Sequence, residues 1–240
     1  MSSSVQKNIL ITGSTSGIGL ETAKYLCVEG YNVLLVGRNE EKLKAVSEQV
    51  NKASYYVCDL EDNSNIANMF EMIKQDGIKL DGMFHAAGCS INMPIRTYKE
   101  DEMRLQMQVN YFAFMELCKN FCNRKISNDG ASIVAMSSLA SMTKLKGSAT
   151  YAASKSALNV AVSVAAKEYI KRLIRVNALL PAYVDTRMSD GLDDWVDVKT
   201  AQPLGIIPPV EISYMVEFLM SDKSKHITGA LIPISAGMEA

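Results

Sequence analysis

The chain is expected to fold as an α/β protein around one parallel, doubly wound sheet of about seven strands with helices on both faces. Three observations predict this. Apolar runs near 8–12, 32–36, 54–58, 82–86, 131–137, 174–180 and 229–234 alternate with helical patterns near 18–29, 40–50, 62–76, 99–124, 151–172 and 210–220. Such alternation requires crossover helices between parallel strands. The first apolar run leads directly into a glycine-rich turn that opens a helix. No repeat, linker or low-complexity block divides the rhythm, so residues 1–240 read as one domain. At 240 residues, 48% hydrophobic and 21% charged, the core is large enough to need no staples.

Taken in order, Lys7 to Thr12 form the first strand, followed by Gly13-Ser14-Thr15-Ser16-Gly17-Ile18-Gly19 and a helix from Leu20 to Glu29 that stops at Gly30. Strand, glycine turn and helix together suit a dinucleotide phosphate. Gly13 permits the tight turn, Gly17 lets the backbone approach a pyrophosphate, and Gly19 allows close helix–strand packing. The helix N-terminus then faces the phosphates with free N–H groups and its positive dipole end. The spacing is GxxxGxG, not GxGxxG, and a plain flexible loop is the alternative.

The second strand, Asn32 to Val36, ends at Gly37-Arg38. An NAD site usually places Asp or Glu here, about 20 residues after the glycine turn, to bind ribose hydroxyls. Gly37 offers no carboxylate, and Arg38 offers a fork-shaped cation suited to a 2′-phosphate. A solvated Arg38 is the alternative. Glu40 and Glu41 fall in the first turn of the next helix, where their charge suits the dipole.

The helical stretch at 99–124 carries apolar residues around much of its circumference, including Met103, Met107, Tyr111, Phe114 and Met115. Such a helix must bury a second face. The strand at 131–137 ends at Ser138. Tyr151 opens the following helix, which places Lys155 one turn on, on the same face. An ammonium near a phenol favours the phenolate and should pull its pKa down from ~10, toward the range useful for general acid/base work. Ser138 can polarise the carbonyl that the phenol protonates. On its own a Tyr and Lys at this spacing is common. Residues 186–207 break the rhythm, with Asp190-Gly191 and Asp193-Asp194 flanking Trp195 before Pro203 and Gly205, and read as a lid over the site.

The net charge of −1 gives no general attraction to nucleic acid or an anionic membrane. The five cysteines form no CxxC pair, and neither His85 nor His226 has metal-like spacing, so no metal site is expected. Buried thiols and the lack of a secretory pattern at Met1-Ser2-Ser3-Ser4 point to the cytoplasm. No run of about 18 apolar residues exists to span a bilayer.

Thr12-Gly13-xxx-Gly17-Ile18-Gly19, Asn110, Ser138 and Tyr151-xxx-Lys155 resemble the short-chain dehydrogenase/reductase superfamily in its compact branch, from about residue 6 to the C-terminus. The resemblance implies hydride transfer between a nicotinamide and a carbonyl or alcohol carbon. Tyr151 would be the general acid/base and Ser138 the hydrogen-bond donor to the reacting oxygen. Lys155 would bind the nicotinamide ribose, and Asn110 would kink its helix and hold a proton-relay water.

It further implies cofactor contacts at Gly13, Ser14, Ser16, Gly17, Ile18 and Gly19, at Gly37 and Arg38, and at Asp59 and Leu60. Ala87, Gly88, Tyr151, Lys155, Pro181, Val184 and Thr186 complete the set. Arg38 matches an NADP(H) signature, so NADP(H) is preferred and NAD(H) is the second candidate. The sequence departs from the family pattern at Ala86, at Ala182 and in Ile234-Ser235-Ala236-Gly237, none of which removes a catalytic group.

Pocket walls are expected from Ser90 to Pro94, Leu139 to Lys146, Tyr183 and Met188 to Trp195, with Met93, Met142 and Met188 either an apolar lining or plain filling of space near the core. Size and motif order resemble 3-oxoacyl-[acyl-carrier-protein] reductases, while Cys89-Ser90-Ile91-Asn92 departs from them. The substrate therefore stays open between a 3-oxoacyl thioester, acyl-carrier-linked or free, and a small ketone, polyol or sugar. Family members bury the apolar helices in a four-helix contact, which implies a homo-oligomer, tetramer or dimer. The other class of function is a cofactor-binding regulatory or scaffold protein without turnover.

Overall fold

The apolar runs assemble edge to edge because each is too hydrophobic to face water on either side. The computed structural model describes residues 6–51, 53–189 and 198–238. Its strands are β1 (Asn8–Thr12), β2 (Asn32–Gly37), β3 (Ser54–Val57), β4 (Leu80–His85), β5 (Ser127–Met136), β6 (Arg175–Pro181) and β7 (Leu231–Ile234). They form one parallel sheet in the order β3-β2-β1-β4-β5-β6-β7.

The helices are α1 (Gly17–Val28), α2 (Glu40–Gln49), α3 (Asn63–Gln75), α4 (Glu100–Met107), α5 (Ala113–Phe121), α6 (Ala140–Thr143), α7 (Ala149–Glu168), α8 (Val198–Ala201) and α9 (Pro209–Met220). Successive residues of β1 point to opposite faces and feed two cores. Leu10 joins Phe70, Phe114, Phe121 and Leu158 on the side of α3, α5 and α7. Ile9 and Ile11 join Leu26, Leu43, Val216 and Leu219 on the side of α1, α2 and α9. The strand order reverses between β1 and β4, which opens a crevice at the C-terminal ends of those strands.

Three boundaries differ from the sequence expectation in informative ways. β5 begins at Ser127, four residues early, because Leu80 pairs with Ser127 before the register shifts. α7 begins at Ala149, so Tyr151 lies inside its first turn and not at its start. The single helix expected over 99–124 is interrupted by a π-helical turn, Gln108–Phe112, with Asn110 at its centre. Such turns displace one side chain out of the α-helical register and recur at functional sites. The short α6 and α8 had no counterpart in the sequence pattern. Of the expected lid, residues 190–197, with Trp195, lie outside the described residues. Among the described residues no helix is long and apolar enough to cross a membrane, and no group of three or more His, Cys, Asp or Glu could hold a metal.

One buried cation secures the last crossover. Arg175, 7% exposed, donates from Nη2 to the carbonyls of Leu219 (2.7 Å) and Ser221 (3.2 Å). Its Nη1 donates to Ser224 Oγ (2.9 Å) and Ser224 O (3.3 Å). These carbonyls end α9, where free acceptors and the negative end of the dipole both favour a cation. Arg175→Met leaves several buried acceptors unpaired and is expected to lower unfolding stability by about 2–4 kcal/mol in urea titration. Arg175→Lys, which keeps the charge but loses the fork, should fall between.

Candidate active site

A cavity of about 210 Å³ opens at the crevice where the strand order reverses. Its floor is the turn before α1 (Gly13 and Ser16 to Gly19), and its walls are the ends of β4 (Ala86 to Gly88), β5 (Met136 to Ser138) and β6 (Pro181, Ala182, Val184 and Thr186 to Met188). Tyr151 and Lys155 enter from α7.

The glycines have three different physical reasons. Gly13 has φ of +69°, and a Cβ there would lie 2.8 Å from the backbone of Ala87. Gly17 has φ of +53°, and its open side faces Thr186. A Cβ at Gly19 would strike the Gly13 carbonyl. The turn is thus folded tightly on itself with its N–H groups at the start of a twelve-residue helix, a cradle suited to a pyrophosphate. Thr12 ties it to β4, since its Oγ1 accepts the Ala87 N–H at 3.2 Å and lies 2.9 Å from His85 Nδ1. His85 is fully buried, and burial followed by the charge of Lys155 holds its pKa at about 3, so the ring is neutral.

Lys155 is 3% exposed and donates from Nζ to the Met136 carbonyl at 2.8 Å. Burial pulls its pKa down to about 8, which still leaves it mostly cationic at neutral pH. Its Nζ lies 5.8 Å from the centre of the Tyr151 ring. The sequence expectation that Lys155 lowers the Tyr151 pKa is corrected here. Burial pushes the phenol up, the Ser138 hydroxyl beside it pulls the other way, and the ammonium is turned to Met136. Ser138 Oγ accepts the Ala140 N–H at 3.1 Å and turns its hydroxyl toward the Tyr151 phenol at the cavity. Asn159 braces this corner, accepting from Ser137 Oγ at 2.6 Å and donating to Ser141 Oγ at 2.9 Å.

Asn110 is fully buried behind the cavity and does not line it. Its Oδ1 accepts the Cys89 N–H at 2.9 Å, and its Nδ2 donates to Cys89 O at 2.9 Å and to Ser154 Oγ at 3.0 Å. Both amide hydrogens are therefore spent on joining the loop after β4 to α7. Gln106, one turn earlier and equally buried, repeats the device on Ile91, with bonds of 3.1 Å to its N–H and 3.2 Å to its carbonyl. Gln202 does the same to Tyr183 at 2.6 and 3.2 Å, and it also donates to Gly205 O at 3.0 Å. Sequence reasoning missed both glutamines. The visible signal was a polar residue among apolar ones, at four-residue spacing from Asn110 for Gln106. Gln202, with a parallel bridge from Val184 to Ile207, clasps the two ends of the expected lid together.

Gly13, Ser16, Gly17, Ile18, Gly19, Ala87, Gly88, Pro181, Val184 and Thr186 are brought together with Ser138, Tyr151 and Lys155 at the cavity. Ser14, Gly37, Arg38, Asp59 and Leu60 lie outside it. Ser14 is buried and turns its hydroxyl to Val36 O at 3.2 Å. Arg38 is exposed at the end of β2 and bonds Glu61 at 3.0 Å. Asp59 holds that neighbour by accepting the Glu61 N–H at 3.1 Å. Arg187 also lines the cavity, beside Thr186, and was not singled out from sequence. Of the methionines expected in the pocket, Met188 lines the cavity, while Met142 is 44% exposed.

The family model described as "Enoyl-(Acyl carrier protein) reductase" matches residues 13–239. The chain is 30% identical to a 3-oxoacyl-[acyl-carrier-protein] reductase FabG of Rickettsia conorii, over 97% of this chain and 96% of that protein. It is also 30% identical to carbonyl reductase family member 4 of Xenopus laevis, over 98% and 99% respectively. Among solved structures, a short-chain type dehydrogenase/reductase from Mycobacterium ulcerans superposes with a TM-score of 0.90 at 27% identity, covering 98% of this chain and 90% of that one.

Proposed function

The chain belongs to the short-chain dehydrogenase/reductase family and is an oxidoreductase, and from that premise we propose an NADP(H)-dependent reductase of carbonyl compounds with Tyr151 as its general acid/base. The observation that carries the reading is the meeting of Ser138, Tyr151 and Lys155 in the cavity that begins at the glycine turn. Bound along that cavity, a nicotinamide cofactor supplies the hydride. The protein's part is alignment and proton handling. Ser138 donates a hydrogen bond to the carbonyl oxygen and keeps its proton. Tyr151 gives its phenolic proton to the same oxygen as negative charge develops there. Lys155, its ammonium anchored on the Met136 carbonyl, would hold the nicotinamide ribose beside Tyr151. With its pKa raised by burial, the phenol is protonated at neutral pH and so holds the proton to be given. Asn110, through Cys89 and Ser154, fixes the wall that faces this group. We assign it that splinting part. Holding a relay water is a second part, one that its remaining acceptor capacity and backbone would have to supply.

Arg38 supports NADP(H), since a charge-assisted contact to a phosphate contributes roughly 1.5–3 kcal/mol, or ~10- to 150-fold in affinity. The relatives named 3-oxoacyl-[acyl-carrier-protein] reductases and carbonyl reductases bring two substrate classes into view, acyl-carrier-linked 3-oxoacyl thioesters and simple ketones. The test is a panel: acyl-carrier-bound and free 3-oxoacyl thioesters, small diketones and keto sugars, each offered with NADPH and with NADH. Loss of reduced-nicotinamide absorbance with at least one carbonyl, faster with NADPH, is expected. No consumption with any of them would overturn the reading.

We also propose that a second copy of the chain covers the outer face of α5 and α7. Phe112 (46%), Met115 (45%), Val160 (65%) and Val164 (46%) are exposed on adjoining helices, more apolar surface than a lone subunit usually leaves open. Phe114, named with Met115 as part of the helix's apolar circumference, lies on the face buried in the core. Sedimentation should report a dimer or tetramer. A 26.3 kDa species alone at micromolar concentration would contradict it.

A further inference from the structure

We propose that Glu61 is a specificity-determining residue for the cofactor: its carboxylate holds the Arg38 guanidinium and competes with the 2′-phosphate for it. The inference rests on the NADP(H) reading above. Arg38 Nη1 lies 3.0 Å from Glu61 Oε1, with the two side chains 72% and 45% exposed, so a ligand can reach either. The loop that presents Glu61 is fixed. Asp59 Oδ1 accepts the Glu61 N–H at 3.1 Å, Gln108 Nε2 donates to Leu60 O at 3.1 Å, and Cys58 N–H donates to Gly37 O at 2.8 Å. These bonds hold the Glu61 backbone beside the end of β2.

Two consequences follow from charge. A phosphate dianion that takes Arg38 must displace the carboxylate or share the guanidinium with it, and either way two like charges come within a few ångströms. Ribose hydroxyls, as in NADH, carry no charge and meet no such repulsion. Glu61 thus lowers affinity for NADPH while sparing NADH. Its position also explains how a carboxylate can stand beside Arg38 when β2 ends in glycine. A Cβ at Gly37 would lie 3.2 Å from Thr15 Cγ2, a tight fit for any larger residue, and the neighbouring loop supplies the acid instead.

The test titrates NADPH and NADH, followed by nicotinamide fluorescence, into the full-length parent, Glu61→Gln and Arg38→Leu at low salt. Melting temperatures serve as the check that the variants fold. Glu61→Gln should tighten NADPH ~3- to 10-fold and leave NADH unchanged, and the gain should shrink as salt rises. Arg38→Leu should weaken NADPH selectively. If Arg38→Leu is selective but Glu61→Gln leaves the NADPH-to-NADH ratio as it was, the role of Glu61 is overturned and the NADP(H) reading stands. If Glu61→Gln instead weakens NADH and spares NADPH, competition is overturned and Glu61 is a ribose ligand. If Arg38→Leu affects both cofactors equally, the NADP(H) reading falls and the inference with it.

Discussion

Tyr151→Phe is expected to reduce turnover at least 10²-fold while cofactor affinity stays nearly unchanged. The substitution removes the phenolic proton that α7 presents to the cavity beside Ser138, and leaves the ring, the glycine turn and Lys155 in place. General acid catalysis is typically worth ~10²–10⁴, and an interaction made only in the transition state lowers kcat without raising KM. Lys155→Ala should hurt differently. It removes a buried cation from Met136 O and from the Tyr151 ring at once, so both affinity and turnover should drop. Parallel steady-state kinetics and cofactor titrations separate the two patterns.

Gly19→Ala is expected to weaken cofactor binding about 100-fold. Its Cβ would meet the carbonyl of Gly13, which is backbone and cannot rotate away, so α1 must shift from the turn it starts. The N–H groups that face the phosphates move with it. Gly17→Ala is the matched control. Its Cβ would lie 3.5 Å from Thr186 Cγ2, an ordinary contact, and only the φ of +53° is strained, a cost of about 1–2 kcal/mol. Titration of NADPH into the two variants should rank Gly19→Ala well below Gly17→Ala, with thermal melting reporting how much of either loss is folding. Equal affinities would mean that the close approach of Gly19 to Gly13 does not shape the phosphate site.

Much of this was legible in the sequence because periodicity is local. The all-buried run of β6 reads as an unbroken apolar strand, and the turn from Gly13 to Gly19 announces itself by composition. The Tyr151 and Lys155 spacing, with Ser138 at the end of a strand, placed three groups that do meet in the cavity. What stayed hidden depends on partners far apart in sequence. Gln106 and Ile91 are 15 residues apart, Gln202 and Tyr183 19, and Arg38 and Glu61 23. No single helix or strand pattern encodes such pairs. Ser14 shows the reverse failure: its place in the turn suggested a cofactor contact, but its hydroxyl turns back to Val36 and is buried. The pKa of Tyr151 was misjudged for a similar reason. Spacing put the ammonium on the right face, and spacing could not reveal that the Met136 carbonyl would claim it.

The most direct test of the central claim follows the hydride itself. NADPH carrying deuterium at both C4 positions of the nicotinamide is incubated with the chain and an active carbonyl compound, and the alcohol product is analysed by mass spectrometry. The account predicts one deuterium at the carbinol carbon, formed by the parent and reduced at least 10²-fold with Tyr151→Phe. A chain that binds NADPH yet transfers no deuterium to any carbonyl compound, or a Tyr151→Phe variant that transfers it as fast as the parent, would contradict the account.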